Sequence, residues 1–163
     1  MQIRRIQEGD YPAVQAIYQQ GIDTGDATFE TRVKTWEEWD AATAATGRLA
    51  ATEGEQVVGW ACLSDITSRC VYRGVAETSV YVNPDFQGRG IGRSLLQALI
   101  EASEAGGYWT LQARIFTENV ASIVLHEKLD FDLMGVHKKL GQLNGVWRDV
   151  QLLERRSTVV GID

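Results

Sequence analysis

The stretch Val82-Asn83-Pro84-Asp85-Phe86-Gln87-Gly88-Arg89-Gly90-Ile91-Gly92-Arg93-Ser94 lies between two patterns of different period. Residues 75–82 before it alternate as a β-strand does, and Ile91, Leu95, Leu96, Leu99 and Ile100 after it recur at helical spacing. The stretch therefore reads as a strand end, a tight glycine loop and a helix N-terminus. First-turn N–H groups of a helix have no intrahelical partner, and the helix dipole places roughly half a positive charge there. Gly88, Gly90 and Gly92 let a diphosphate approach the backbone closely, and Arg89 and Arg93 add charge from the side.

Spacing tests the alternatives. A dinucleotide fingerprint needs G-x-G-x-x-G after the first strand of a βαβ unit, whereas Gly88-Arg89-Gly90-Ile91-Gly92 is G-x-G-x-G in mid-chain. A Walker loop needs glycine where Gln87 stands and lysine where Arg93 stands. A glycine turn that merely connects strand to helix is the bland alternative.

The wider context argues against that alternative. Val82-x-Pro84-x-x-Gln87-Gly88-x-Gly90-Ile91-Gly92 resembles the acyl-CoA pyrophosphate loop, Q/R-x-x-G-x-G/A, of the GNAT acyltransferase superfamily. Residues 76–82 before it and Asn119-x-x-Ser122-x-x-Leu125-His126-Glu127-Lys128-Leu129-x-Phe131 after it resemble the phosphinothricin and methionine sulfoximine acetyltransferase branch. So do Ala27-Thr28-Phe29-Glu30-Thr31 and Trp147-x-Asp149-Val150, and the similarity covers nearly the whole chain. It implies an α/β (α+β) GNAT fold, with a mixed twisted sheet of about six to seven strands and about four flanking helices. The sheet is expected to splay at the acyl-CoA strand.

Composition sets bounds. The 163 residues suit one domain, taken as 1–154 with a tail at 155–163. With 23% charged and 44% hydrophobic residues, an extensively disordered chain is excluded. No apolar run approaches the roughly 20 residues that span a bilayer, and the start does not read as a signal peptide, so a cytoplasmic protein is expected. Cys62 and Cys70 are too few for a disulfide framework, and no Cys/His cluster offers a metal site. Cys62, in an apolar strand pattern, reads as an inert buried thiol. A net charge of −6 argues against nucleic acid, so an anionic CoA must be met by local donors, namely Arg89, Arg93 and the loop amides.

In chain order, residues 2–6 read as a strand and Asp10 as the N-cap of a helix with Pro12 in its first turn. Residues 21–33 read as a loop or distorted helix. Thr35-x-x-Glu38 is a capping box for a second helix, carrying Trp36 and Trp39 and ended by Gly47. Strands at 48–52 and 56–64 form a hairpin about Glu53-Gly54-Glu55. Residues 65–74 are a polar loop, 75–82 the central strand, and 90–105 the CoA helix with Gly106-Gly107 as its C-cap. A strand at 109–115, a helix from Asn119 to Lys128 and strands at 131–139 and 147–153 follow, the last two joined by a turn at 141–145. Residues 155–163 are expected to fray.

Acetyl transfer to an amine needs a fixed donor, a neutral amine and a stabilised oxyanion. By resemblance, a backbone amide among Val80, Tyr81 and Val82 faces the thioester carbonyl, Gln87 to Arg93 hold the pyrophosphate, Ser122 lies on the pantetheine, and Asn119 bonds the pantetheine or orients its helix. An α-amine with pKa about 8 loses its proton more readily than a lysine at about 10.4. A free amino acid lies between, so a modest base is useful. Glu77 is that candidate, on one strand face with Ser79 and Tyr81, and binding the substrate ammonium is its competing role. His126 can protonate the leaving thiolate, although a satisfied structural or CoA-contacting histidine suits it slightly better. Phe29 and Glu30 are implied for the acceptor wall, and Tyr72 and Arg73 for the substrate approach, Arg73 pairing with a carboxylate.

The family usually has glycine at the position of Asp130, where a left-handed cap is expected. His137 reads as solvated surface. The expected activity is acetyl-CoA-dependent N-acetylation of a small amino-acid-like compound by a homodimer. A protein or peptide acetyltransferase and a non-catalytic acyl-CoA sensor are the alternatives.

Overall fold

The computed structural model describes residues 1–163. In order it comprises β1 (Gln2–Arg5), α1 (Tyr11–Asp23), α2 (Trp36–Ala42), β2 (Leu49–Glu53), β3 (Gln56–Asp65) and β4 (Val75–Val82). There follow α3 (Ile91–Ala105), β5 (Thr110–Phe116), α4 (Val120–Glu127), β6 (Asp132–Leu143) and β7 (Val146–Arg156). The seven strands form one sheet in the order β1-β2-β3-β4-β5-β7-β6. Every neighbouring pair is antiparallel except β4 and β5, which α3 joins by a crossover. No helix is long and apolar enough to cross a membrane.

The two sheet faces are covered differently. On one, Leu95, Leu96, Leu99 and Ile100 of α3 pack on Val58, Leu63, Ala76, Leu111 and Leu153, with Ile123 of α4 alongside. On the other, Tyr11, Val14, Ile17 and Tyr18 of α1 and Trp39 of α2 cover Ala50, Val57, Trp60 and Cys62. Those helices leave the β5-β7-β6 half of that face to a small cluster of Phe116, Leu143 and Val150. This uneven cover opens a cavity beside β4.

Several local expectations are corrected. Asp10 does not cap α1 through its side chain. It pairs with Arg4 at 2.7 Å and accepts from the Gln7 amide at 2.8 Å, closing the turn before the helix. α1 runs through Gly21 to Asp23, because Gly21 lies against the Tyr81 ring, where a Cβ would come within 2.7 Å. The Thr35–Glu38 capping box is present, but α2 ends at Ala42, ahead of Gly47, where the chain turns extended at Thr43. β6 continues to Leu143, and the hairpin turn is Asn144-Gly145, both at positive φ as a two-residue turn requires. Residues 155–163 do not simply fray. β7 continues to Arg156, the Ser157 amide donates to Trp109 at 2.8 Å, and Arg156 donates to the Val160 carbonyl at 2.8 Å.

Asp130 takes the left-handed conformation (φ 66°) after α4, whose end is closed by the Phe131 amide donating to His126 at 3.2 Å. Although the side chain is exposed, Asp130→Val is expected to lower the unfolding free energy by about 1–2 kcal/mol. Asp130→Gly should not lower it, since relief of the strain offsets glycine's freedom in the unfolded chain. Urea unfolding of the two variants checks this, and equal stabilities would contradict it.

Candidate active site

β4 and β5 pair only at Val75–Thr110, Ala76–Leu111 and Glu77–Gln112, while β4 keeps its ladder to β3 as far as Val82. Beyond Glu77 the two strands part. The Asn83 amide donates to the Val58 carbonyl at 2.9 Å, so Tyr81 and Ser79, of the same parity, exchange bonds with β3. The amides of Val80 and Val82 consequently point the other way, into the gap. The sequence expectation of an amide among Val80, Tyr81 and Val82 narrows to the two valines, and Tyr81 contributes its ring to the opposite wall.

A cavity of about 1030 Å³ runs through this gap. Its α3 end is built by the glycine loop. The Asn83 side chain accepts from the Asp85 amide at 3.0 Å, and Gly88 (φ 76°) and Gly90 (φ 79°) turn the chain into α3. No atom would lie within 4 Å of a Cβ at either glycine, so backbone conformation selects them. Gly92 is different, because it lies against Leu125 and Val82 and lets α3 sit close to α4 and β4. The 15-residue α3 begins at Ile91 with no side-chain cap, leaving its first amides free for a ligand. Gln87, Gly88, Gly90, Ile91, Gly92 and Arg93 line the cavity. Arg89 is not among the lining residues; its guanidinium lies over the Phe86 ring at 4.8 Å, with Glu53 3.6 Å away.

α4 supplies the flank. The Asn119 side chain accepts from the Ser122 amide at 3.3 Å and thereby caps the helix. His126 is buried, with its ring edge-on to Phe131 at 4.9 Å. Its Nδ1–H donates to the Ser122 carbonyl at 2.7 Å, which leaves the Nε2 lone pair 3.4 Å from the Thr78 hydroxyl. Burial pushes its pKa below the ordinary histidine value, and the Ser122 bond opposes that only in part. Burial thus favours the neutral ring, the Ser122 bond sets its proton on Nδ1, and Nε2 shares the Thr78 hydroxyl with the Gln112 carbonyl, also 3.4 Å away.

The α1–α2 side of the cavity is polar at the centre and aromatic around it. The Tyr81 ring stacks on Trp60 at 4.7 Å and meets the edge of Tyr18 at 5.0 Å. Cys62, also in the wall, has its thiol pushed up to about 12 by burial and is chemically inert there. Phe29 lies edge-on to Phe116 at 4.7 Å, and Glu30 pairs with Lys34 at 3.2 Å. The loop bearing Phe29 is clamped from β7, since Arg148 donates to the Gly25 carbonyl at 2.6 Å and to Asp26 at 2.7 Å, with its guanidinium 4.2 Å from the Phe116 ring.

Glu77 projects into this side from β4. Its partner, which the sequence reading missed, is Arg114 of β5, whose guanidinium donates to Glu77 Oε2 at 2.5 Å. A charged residue among alternating apolar ones in β5 was visible, but its meeting with Glu77 depends on a register that spacing does not reveal. Tyr72 and Arg73 do not line the cavity. A 3-10 turn at Cys70–Tyr72 sets them on the surface, where Arg73 lies over the Trp109 ring at 5.6 Å and Arg69 over the Tyr72 ring at 5.5 Å.

A buried neutral histidine makes stability depend on pH. Because the folded pKa of His126 is depressed, its contribution is complete above about pH 6.5, the unfolded value, and is lost as pH falls through the folded one. His126→Gln is expected to flatten the fall in unfolding free energy between pH 7 and pH 5, measured by urea titration. An unchanged slope would contradict a buried neutral imidazole.

Comparison with known proteins agrees with this architecture. The family model described as acetyltransferase (GNAT) family matches residues 2–131. The L-methionine sulfoximine/L-methionine sulfone acetyltransferase of Pseudomonas paraeruginosa is 35% identical, over 93% of this chain and 92% of its own. Among solved structures, a phosphinothricin acetyltransferase from Sinorhizobium meliloti in complex with AcCoA superposes with a TM-score of 0.90 at 28% identity, covering 99% of this chain and 91% of that one. A ribosomal-protein-alanine N-acetyltransferase from Brucella melitensis gives 0.87 at 32%, covering 96% of this chain and all of that one. With a glycine loop at the start of α3, a sheet that opens after Glu77 and relatives matched along nearly its whole length, the chain belongs to the GNAT family of acetyltransferases.

Proposed function

We propose that this chain transfers an acetyl group from acetyl-CoA to the α-amine of a small amino-acid-like compound of the methionine sulfoximine, methionine sulfone or phosphinothricin type. The observation that carries the reading is the position of Glu77, which lines one cavity with both the α3 N-terminus and the gap-facing amides of β4. Acetyl-CoA supplies the activated acyl group. The residues fit it, since the first-turn amides of α3, Gln87 and Arg93 meet a diphosphate, and the Val80 and Val82 amides lie where the gap admits an extended arm. A preorganised amide facing developing negative charge is worth about 3–4 kcal/mol of barrier.

The amine loses its proton to Glu77, directly or through one water, and the Oε1 atom has no protein donor to compete for it. In this reading His126, which lines the cavity from α4, supplies no proton. The leaving thiolate is stable enough to take its proton from solvent. An N-terminal peptide acceptor is the second reading, prompted by the Brucella relative. The Phe29 loop, held down by Arg148, favours a small acceptor.

We further propose that two copies associate in the cytoplasm. Support comes from the β6–β7 hairpin, where β6 is an edge strand and Leu133, Met134, Leu140, Val146 and Trp147 are exposed along its length.

Thiol release with methionine sulfoximine, methionine sulfone, phosphinothricin, common amino acids and a short peptide tests the acceptor. Saturable turnover of a small acid alone is expected, and turnover of the peptide alone would overturn the reading. Glu77→Gln should lower kcat about 100-fold or more while leaving the KM for acetyl-CoA within about twofold. An unchanged kcat would remove Glu77 as the base. Sedimentation should give about twice the chain mass of 18.1 kDa, and the mass of one chain would contradict association.

A further inference from the structure

We propose that Arg114 receives the carboxylate of the acceptor, so that the Glu77–Arg114 pair takes up a zwitterionic α-amino acid and makes a free α-carboxylate the feature the enzyme selects. This rests on the reading of the cavity as the site of an amine acceptor.

The pair is incompletely bonded where it faces the cavity. Arg114 donates to Glu77 Oε2 and, at 3.3 Å, to Gln112 Oε1, so two of the five N–H groups of a guanidinium are engaged and three remain. Gln112 is in turn anchored by donating to Glu154 at 3.1 Å, which fixes the base of the arrangement. Both side chains are 36% exposed, and a half-exposed ion pair of this kind is weak and opens readily. An α-amino acid carries its two charges on neighbouring groups of one carbon. Set into the pair with its ammonium on Glu77 and its carboxylate on Arg114, it replaces one ion pair with two and uses the guanidinium fork in the way that recognises a carboxylate. Pairing the carboxylate with Arg114 also cancels the field by which it holds the amine protonated, easing the transfer to Glu77.

The other cations near the cavity are committed elsewhere. Arg148 is spent on Gly25, Asp26 and Glu118, and Lys34 is held by Glu30 over the Tyr18 ring. Arg93 lies at the start of α3, beyond the gap, and Arg73 does not line the cavity. Arg114 alone stands beside Glu77 with donors to spare.

The test compares L-methionine sulfone with its α-carboxamide as acceptors, in the full-length enzyme with saturating acetyl-CoA. The wild type should prefer the acid by about 30-fold or more in kcat/KM, the size of one lost charge-assisted contact. Arg114→Gln should erase that preference, chiefly by raising the KM for the acid, while the carboxamide changes within about threefold. Arg114→Lys should restore part of it, and Lys34→Met should keep the wild-type ratio. A wild type indifferent to the carboxylate, a preference that survives Arg114→Gln, or one lost in Lys34→Met would overturn the assignment with the acceptor reading intact. Failure of the wild type to acetylate either compound would take both down.

Discussion

The parting of β4 from β5 is the constraint on which the rest of the molecule depends. Two parallel strands buried side by side normally share a ladder along their length, and here they share three residue pairs. What makes the opening tolerable is bonding on the outer sides. β4 holds seven pairs with β3, and β5 holds seven with β7, so each strand is fixed in direction without the other. The inner amides of Val80 and Val82 are left facing an open cavity, where a ligand or water satisfies them, in place of a dry core where they would be costly.

The helices are set so that the gap has chemistry at its ends. Apolar contacts of Leu95, Leu96 and Leu99 press α3 onto the sheet, and Gly59 allows it, since a Cβ there would lie 3.0 Å from Leu95. That packing directs the free amides at the start of α3 toward one mouth of the gap. On the opposite face, α1 and α2 stop short of β5, and the loop after α1 crosses the opening under the hold of Arg148. The cavity therefore joins the uncapped start of α3 on one side of the sheet to an ionic and aromatic wall on the other, and Glu77 and Arg114 line it.

Much of this was legible before any coordinates. The strand at Val75–Val82, the glycine loop, α3 and the Asn119 cap carry their information locally, in periodicity and in residues whose backbone preferences are strong. Even the strained position at Asp130 was visible as an aspartate where glycine is expected. The losses share one cause, which is dependence on partners distant in sequence. Asp10 has the composition of a cap but meets Arg4, and the tail reads as frayed because Trp109 and Glu104, which tie down Ser157, lie about 50 residues away. Arg73 reads as a carboxylate binder only until the turn at Cys70–Tyr72 carries it over Trp109. Arg114 gains its meaning from the register between β4 and β5, because it stands two residues past Gln112, the partner of Glu77 in the last pair.

The most direct measurement of the central claim is a titration of the protein with acetyl-CoA followed by backbone amide NMR. Shifts concentrated at Val80, Val82, Gly88, Gly90 and Gly92, with the Tyr81 amide much less affected because it is bonded to β3, are the predicted result. Saturable binding that moves other regions and leaves the Val80 and Val82 amides in place would contradict a donor seated in the gap between the two strands.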